Sequence, residues 1–334
     1  MAASKMESRM PMNLSTLSLV IPLLLIQTDS HPLLHAGRYS LKKIAPNICA
    51  VTNLYHPPPS DGVNAAFIAG ATSLVFIDAG MTMDSAQAVW NEASRMFPGR
   101  TSVFLILSHF HCDHVFGMDV FKKKGARVIG HKNLDPWLDQ RKFLERLRQT
   151  TGKNMTFVDV IAQEEFPSLE AARNTLGNVS LSPPDTFLEG DDILTLGDVS
   201  LQIFYVPGHS DDLLAVYEPT SRTLVASDLI YSSGVPFLHD PTKQAYVDWI
   251  RNLNRIKRLP VKTIIPGHGP VCNPAMIATN IRSLEAQALD LENRRDRVGA
   301  RAPRELALNP QAISSRGKSL GGEMIGRPVK GGRE

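Results

Sequence analysis

The segment from residue 103 to residue 114 constrains the fold more than any other part of the chain. Val103 to Leu107 is an uninterrupted apolar run of strand length, and Ser-His-Phe-His-Cys-Asp-His follows it directly at 108–114. Such a run, bounded by polar residues, is typical of a buried strand. Imidazole and carboxylate groups are ligands for divalent metal ions. The chain must therefore fold so that a buried strand opens directly onto a polar, metal-binding site.

Three further polar residues occur in the same context, after a strand-like run and beside glycine or serine. They stand in Val-Pro-Gly-His at 206–209, Ala-Ser-Asp at 226–228 and Ile-Pro-Gly-His at 265–268. Glycine permits the close backbone approach that a crowded site needs. Each signal is weak alone, because a polar residue at a strand end is commonly a turn or cap residue. Together they complete seven candidate metal ligands: His109, His111, Asp113, His114, His209, Asp228 and His268.

Elsewhere, short strand-like runs alternate with amphipathic helices. The spacing of apolar residues predicts a helix ending near Phe97, a helix from about Thr242 to Pro260, and a long helix with Asn273 as its N-cap. Strands covered by helices indicate a mixed α/β layered domain. Short strands are predicted at 64–70, 73–78, 103–107, 186–188, 193–196, 199–206, 213–217, 223–226 and 263–265.

The order of the candidate ligands resembles that of the metallo-β-lactamase superfamily, which has a His-x-His-x-Asp-His loop, a later His, a bridging Asp and a final Gly-His. The resemblance covers about residues 38–290. It implies an α/β fold of the αββα type, a four-layer sandwich of two β-sheets with helices outside. It also implies two divalent metal ions, zinc by default, with iron or manganese suiting the same donors. One ion is assigned His109, His111 and His209, the other Asp113, His114 and His268, and Asp228 bridges them.

The same resemblance implies a hydrolytic mechanism. Two ions that share a water lower its pKa and leave a bridging hydroxide to attack a carbonyl or phosphoryl centre. Asp113 is expected to orient that hydroxide and carry a proton to the leaving group. Asp78, in a Val-Phe-Ile-Asp-Ala-Gly stretch, resembles the carboxylate that orients a metal-binding histidine in this superfamily. A strand-end cap is the alternative interpretation of Asp78.

The substrate class is narrowed by departures from the family pattern. The stretch around His209 resembles class B β-lactamases, but Asp228, His114 and Tyr231 stand where the commonest of those enzymes carry cysteine, serine and the lysine that binds the substrate carboxylate. The Asp-x-x-Tyr arrangement resembles acyl-homoserine lactonases, in which a tyrosine assists at the carbonyl oxygen. We therefore expect Asp113 and Tyr231 to be catalytic and the substrate to be a small-molecule ester, lactone or related acyl compound. The alternatives are β-lactam hydrolysis, a thioesterase of the glyoxalase type, or a phosphodiesterase.

The ends of the chain predict its organisation and location. Lys5 and Arg9 precede an apolar run at 17–26, which indicates a signal peptide and leader over 1–35 and a periplasmic or secreted protein. Exported metallohydrolases associated with quinoprotein and sulfur-oxidation systems look most similar. Without a signal the protein would be cytoplasmic. The catalytic domain is expected over 36–292, and a disordered basic tail over 293–334.

Net charge and the length of the apolar run argue against nucleic acid and membrane partners. The tail holds 10 basic and 4 acidic residues, so the rest of the chain carries a net charge of −3 and shows no nucleic-acid footprint. No stable membrane insertion is expected after signal removal, because the apolar run is too short to span a bilayer. Composition does not determine the oligomeric state. Five histidines lack ligand-like neighbours in the sequence and are given no role: His31, His35, His56, His131 and His239.

Overall fold

The computed structural model describes residues 35–301 except for 59–60, 135–137, 154–155, 157, 160–164 and 239–240. The predicted signal peptide up to residue 34, and the tail beyond residue 301, lie outside the described residues. The strands are β1 (Ser40–Ala45), β2 (Ile48–Leu54), β3 (Val63–Ala69), β4 (Ser73–Ile77), β5 (Ser102–Ile106), β6 (Arg127–His131), β7 (Thr186–Leu188), β8 (Asp192–Leu196), β9 (Val199–Tyr205), β10 (Leu214–Glu218), β11 (Thr223–Tyr231) and β12 (Thr263–His268). The helices are α1 (Met83–Met96), α2 (Cys112–Val115), α3 (Met118–Lys123), α4 (Gln140–Thr151), α5 (Leu169–Leu176), α6 (Lys243–Ile256) and α7 (Ala275–Arg301), with a 3₁₀ turn at Lys132–Leu134.

The strands form two halves that join along one line of hydrogen bonds. Their order is β7-β6-β5-β4-β3-β12-β11-β10-β9-β8, with β2 also paired to β3 and β1 paired to β2. A single residue pair, Val63 with His268, joins β3 to β12. The first half therefore contains β1 to β7, the second half contains β8 to β12, and the two halves meet beside His268.

Successive side chains along a strand point to opposite faces of the sheet and so pack in two different hydrophobic cores. In β4, Val75 and Ile77 pack in a cluster that also contains residues of β9, β10, β11 and β12, whereas Leu74 and Phe76 pack with α1 and α3. Side chains of a strand alternate between the two faces of its sheet. The two halves therefore pack face to face, and helices cover both outer faces. In the second half, α6 and α7 cover the outer face through a third cluster around Trp249. This arrangement is the predicted four-layer αββα sandwich.

The helices begin where the sequence places their caps. The hydroxyl of Thr82 accepts a hydrogen bond from the Ser85 N–H at the start of α1, and Thr242 caps α6 in the same way through Ala245. The Asn273 side chain accepts from the Ala275 N–H at the start of α7. One boundary differs from the prediction. Helix α7 continues to Arg301, so residues 293–301, assigned from the sequence to a disordered tail, are helical.

Parallel strand pairs bring the polar segments to one edge of the molecule. β4 runs parallel to β5, and β11 runs parallel to β12. The carboxyl ends of adjacent parallel strands meet at the same edge, which is where open α/β sheets bind their ligands. Asp78 and the histidine cluster therefore come together in the first half, and Asp228 and His268 in the second. Among the described helices, none combines the length and apolar character needed to cross a membrane.

Candidate metal centre

All seven predicted ligands converge at this edge and divide into two groups. The first group contains His109, His111, His209 and Asp228, and the ligand atoms within it lie within 4.8 Å of one another. The Nε2 atom of His209 lies 3.2 Å from Nε2 of His109, 2.9 Å from Nδ1 of His111 and 3.3 Å from Oδ2 of Asp228. Three imidazole nitrogens and one carboxylate oxygen in this arrangement suit a divalent transition metal.

The second group contains Asp113, His114 and His268. Oδ2 of Asp113 lies 3.5 Å from Nε2 of His114 and 3.3 Å from Nε2 of His268. Asp113 and His114 lie on the single-turn helix α2, whose N-cap is His111, so the predicted irregular loop is helical at this point. The turn directs consecutive residues to different positions, which places His111 in one group and the next two ligands in the other.

Asp228 contacts both groups. Its Oδ2 atom faces His209 of the first group and lies 3.5 Å from Nε2 of His268, while its Oδ1 atom lies 3.1 Å from Nε2 of His114. Both Oδ1 of Asp228 and Nε2 of His114 are buried and make no hydrogen bond in the part of the chain that the structure describes. Buried polar atoms ordinarily have partners. A buried carboxylate oxygen and a buried imidazole nitrogen that lie 3.1 Å apart without a hydrogen bond, among other metal-binding groups, fit a bound cation.

The sequence pattern predicts that Asp228 follows the end of its strand, but in the structure Asp228 lies within the strand. β11 continues to Tyr231, and its register with β12 shifts on both sides of Ser227, which has a positive φ of 46°. Gly267 of β12 makes room for the carboxylate, because a Cβ atom added at residue 267 would lie 1.8 Å from Oδ1 of Asp228. This is the close approach for which only glycine is small enough.

Asp78 holds the histidines of both groups from behind. Its Oδ2 atom accepts hydrogen bonds from the hydroxyls of Ser108 and Ser227, each at 2.9 Å, and lies 2.8 Å from Nδ1 of His114. The Ser108 hydroxyl also lies 2.9 Å from Nδ1 of His109. These contacts direct Nε2 of both histidines towards the centre. The structure therefore places Asp78 as the predicted orienting carboxylate rather than as a simple strand-end cap.

His209 is fixed from a different direction. Its Nδ1 atom donates to the carbonyl oxygen of Phe237 at 2.8 Å, which leaves Nε2 unprotonated and available to a metal ion. The ring of Trp249 packs edge-on against the imidazole with centroids 5.5 Å apart. The Trp249 indole N–H donates to the carbonyl oxygen of Leu229 at 2.8 Å. Helix α6 thus anchors both His209 and the strand that carries Asp228.

The pKa values of the histidines shift in opposite directions in the two ligand groups. Burial lowers the pKa of His111 to about 3, assisted by His209, and burial also lowers the pKa of His109. Burial opposes protonation of His268 too, but the carboxylates of Asp228 and Asp113 outweigh it and raise the His268 pKa to about 10. The first group therefore offers neutral imidazoles, and the second group stabilises positive charge. Neutral nitrogen donors beside cation-stabilising carboxylates are the donor set that a divalent ion requires.

Tyr231 reaches the centre rather than packing away from it. Its hydroxyl donates a hydrogen bond to Oδ2 of Asp228. Its ring stacks on the His268 imidazole, with centroids 5.3 Å apart and an interplanar angle of 17°. Burial and the negative charge of Asp228 raise the pKa of the Tyr231 phenol well above its usual value, so the hydroxyl stays protonated. Tyr231 is therefore positioned as a neutral hydrogen-bond donor beside both groups.

Sequence reasoning missed three polar residues of this centre. His56, which had been given no role, lies with Nε2 3.8 Å from Oδ2 of Asp113, and its ring is edge-on to His268. Ser108 and Ser227 join the Asp78 network and lie 2.8 Å apart through their hydroxyls. The serines directly precede predicted ligands, and that adjacency is a signal that could have identified them. His56 follows β2 in a proline-rich segment and has no comparable local signal.

A four-layer α/β sandwich with two groups of imidazole and carboxylate ligands at its strand ends defines a metal-dependent hydrolase. The family model for the metallo-β-lactamase superfamily matches residues 59–268, and the chain belongs to this superfamily. Among solved structures, a metallo-β-lactamase from Pontibacter korlensis superposes with a TM-score of 0.54 at 16% identity, covering 74% of this chain and 99% of that one. That likeness concerns the fold.

Curated relatives are more varied in activity. A linear primary-alkylsulfatase from Pseudomonas sp. is 22% identical over 210 residues, which are 59% of this chain and 39% of the relative. An acyl-coenzyme A thioesterase from Gallus gallus is 22% identical over 219 residues, covering 61% of this chain and 72% of the relative. The match thus spans well under half of the alkylsulfatase. The relatives share hydrolytic chemistry and differ in the bond they cleave.

Proposed function

We propose that this protein is a dinuclear zinc hydrolase that cleaves an ester, lactone or related acyl bond of a small molecule. The observation that carries the proposal is the Tyr231 hydroxyl, which is held on the carboxylate of Asp228 beside both ligand groups. A protonated phenol can donate to a developing oxyanion. Tyr231 also stands where the β-lactamases of class B carry a lysine, so the partner expected for a β-lactam carboxylate is replaced by a neutral group.

The residues of both groups fit two divalent ions, with Asp228 between them. The first ion would be held by His109, His111 and His209, and the second by Asp113, His114 and His268. When bound, such a pair supplies Lewis acidity and lowers the pKa of a water. The distances within the groups and the unpartnered atoms of Asp228 and His114 support this assignment.

The protein's own groups would orient the substrate and move the proton. Asp113 has an oxygen directed between His114 and His268, and its carboxylate can accept a proton from the attacking water and return it to the leaving oxygen. Tyr231 would donate its hydroxyl hydrogen bond to the substrate carbonyl oxygen as negative charge develops there. To do so, the phenol exchanges its bond to Asp228 for one to the substrate.

Thioester hydrolysis is a second candidate. The acyl-coenzyme A thioesterase relative supports it, and hydroxyacylglutathione hydrolases from three bacteria are 24–28% identical over shorter stretches. Esters and thioesters share the acyl carbonyl that the centre would attack, so the two candidates differ in the leaving group. The alkylsulfatase relative supports a small-molecule substrate, but its name indicates a sulfate ester and so does not support attack on an acyl carbonyl.

A substrate panel tests the proposal. Zinc-loaded protein is assayed with an aliphatic ester, aliphatic and homoserine lactones, a glutathione thioester, a chromogenic cephalosporin and an activated phosphodiester, and its metal content is measured in the same sample. We expect close to two zinc ions per chain and the highest kcat/KM on an ester or lactone. Activity on the phosphodiester alone, or on the cephalosporin alone, would reject the ester or lactone assignment.

Replacing Tyr231 with Phe tests the role of the phenol. Because Phe fills nearly the same volume, we expect the metal content to be retained and kcat on the best ester or lactone to fall by about 10²-fold or more. Tyr246→Phe is the matched control, since the hydroxyl of Tyr246 makes a long 3.4 Å contact with Gln287 on the outer helices. A Tyr231→Phe enzyme with unchanged kcat would show that the residue serves packing alone.

A further inference from the structure

The segment after β11, residues 232–238, borders the metal centre and is called the rim loop. At its start, the Ser232 N–H donates to the carbonyl oxygen of His268 at 3.1 Å. Near its end, the carbonyl oxygen of Phe237 accepts from Nδ1 of His209 at 2.8 Å. The loop is therefore hydrogen-bonded to one ligand of each group, to His268 at its start and to His209 near its end.

The rim loop carries two large apolar side chains that are exposed to solvent and are not part of the protein core. Val235 is 67% exposed and Phe237 is 55% exposed, whereas Leu238, next along the chain, is buried against α6. The loop is fixed through its backbone, because Nε2 of Gln287 donates to the Pro236 carbonyl oxygen at 3.0 Å in addition to the two contacts above. Single exposed apolar residues are common on protein surfaces. Two of them on a loop bonded directly to candidate metal ligands mark an apolar surface at a binding site.

The seven ligand side chains of the centre are all imidazoles and carboxylates, which the two ions would engage. Once two divalent ions are held, the remaining selectivity must come from the surrounding surface. On the rim loop that surface is aliphatic and aromatic, and it would bury methylene groups at about 0.8 kcal/mol each.

We propose that Val235 and Phe237 bind the aliphatic acyl chain of the substrate, so that the enzyme prefers medium-chain over short-chain acyl compounds. This inference rests on the proposed acyl-bond chemistry and adds a chain-length preference to it. Phe237 would then have two roles: its carbonyl oxygen orients His209, and its ring contacts the chain of the substrate.

A chain-length series tests the preference. Zinc-loaded full-length protein is assayed on p-nitrophenyl acetate, butyrate, hexanoate and octanoate, and kcat/KM is expected to rise about two- to fourfold per methylene. The double variant Val235→Ser, Phe237→Ser is expected to lower the octanoate-to-acetate ratio by about tenfold or more. Phe237→Leu, which keeps an apolar side chain, should keep the ratio within about twofold. Ile193→Ser removes an equally exposed aliphatic residue from β8 and should leave the ratio unchanged.

Binding measurements separate this inference from the proposed function. Calorimetry with acetate, butyrate, hexanoate and octanoate uses no turnover, and the dissociation constant should fall with chain length in the wild-type protein but not in the double variant. If no ester is cleaved but this trend appears, the acyl-bond chemistry is wrong and the apolar surface stands. A dissociation constant independent of chain length, or an octanoate-to-acetate ratio that survives in the double variant, overturns the inference.

Discussion

On the side away from the candidate ions, the carboxylate of Asp78 supports one histidine of each ligand group, His114 directly and His109 through Ser108. Its backbone lies in the left-handed region with φ of 64°, as does that of Ser227 with φ of 46°, and the two side chains bond each other at 2.9 Å. Left-handed backbone at non-glycine residues costs of order 1 kcal/mol or more and concentrates at functional sites. The fold therefore accepts strained backbone at two positions that face each other behind the metal centre.

Replacing Asp78 with Asn keeps the shape of the side chain but turns one acceptor oxygen into a donor amide. Three donors converge on Oδ2 and the Ser108 N–H donates to Oδ1, so whichever oxygen becomes the amide nitrogen, at least one donor loses its acceptor. We expect zinc affinity, measured by competition with a chromophoric chelator, to fall about 10- to 100-fold. Asp198→Asn is the control, because Asp198 accepts from the Ala71 N–H in an exposed position away from the centre. Equal affinities of wild type and Asp78→Asn would contradict the orienting role.

The seven candidate ligands could be predicted because each is marked locally, by a strand-like run and a neighbouring glycine, serine or second ligand. The residues that support them carry no such mark. Ser108 and Ser227 meet across 119 positions of the sequence, and His56 reaches Asp113 from a different loop. Contacts of this range depend on the topology of the sheets, which local patterns do not encode.

At the scale of elements, strand β11 shows where pattern reasoning fails. The polar pair Ser227 and Asp228 predicts that the strand ends at residue 226, but the apolar residues after the pair continue the strand to Tyr231. A bend at Ser227 shifts the register with β12 instead of ending the pairing. The bend turns Asp228 into the centre. Polar residues in a buried strand therefore do not always mark its end, because their side chains can point into a functional site beside the strand.

Helix α6 stabilises this bent strand through Trp249. The Trp249 ring is fully buried, and its indole N–H satisfies the Leu229 carbonyl oxygen within β11. Trp249→Phe removes that donor and part of the ring, so we expect the free energy of unfolding, measured by denaturant titration, to fall by about 1–3 kcal/mol. Tyr246→Phe on the same helix should change it by less than about 0.5 kcal/mol, given its long hydrogen bond. Equal losses in the two variants would exclude a specific anchoring role.

At the scale of the whole molecule, the metal centre joins the two halves of the sandwich. The first half contributes the 109–114 cluster, and the second contributes His209, Asp228 and His268. Sequence patterns alone predicted layered α/β structure, and the family resemblance was needed to predict two face-to-face sheets. Pairing across 40 to 95 residues, between ligands such as His114 and His209, is not visible in any local periodicity. Metal binding to the folded state should therefore stabilise the packing of one half against the other.

The two ligand groups predict opposite pH effects on the stability of chelator-treated protein. An imidazole in the unfolded chain titrates near 6.5. Because the pKa of His111 is lowered to about 3, the unfolded chain binds more protons between these values, and stability falls as the pH drops below about 6.5. Because the pKa of His268 is raised to about 10, the folded chain holds the extra proton above 6.5, and stability falls as the pH rises towards 10.

The melting temperature of chelator-treated protein should therefore reach its maximum near pH 6.5 and decline on both sides. Zinc-loaded protein should melt higher and should not decline between pH 7 and pH 9, because a histidine that binds metal carries no proton on its ligand nitrogen to lose. Scanning calorimetry from pH 4 to pH 10, with and without zinc, measures both curves. Restoring zinc to the chelated sample should recover the loaded curve, which controls for damage by the chelator. Parallel curves, with the same alkaline decline in both samples, would mean that protons at His268 do not compete with the metal, and the assignment of His268 as a ligand would fail.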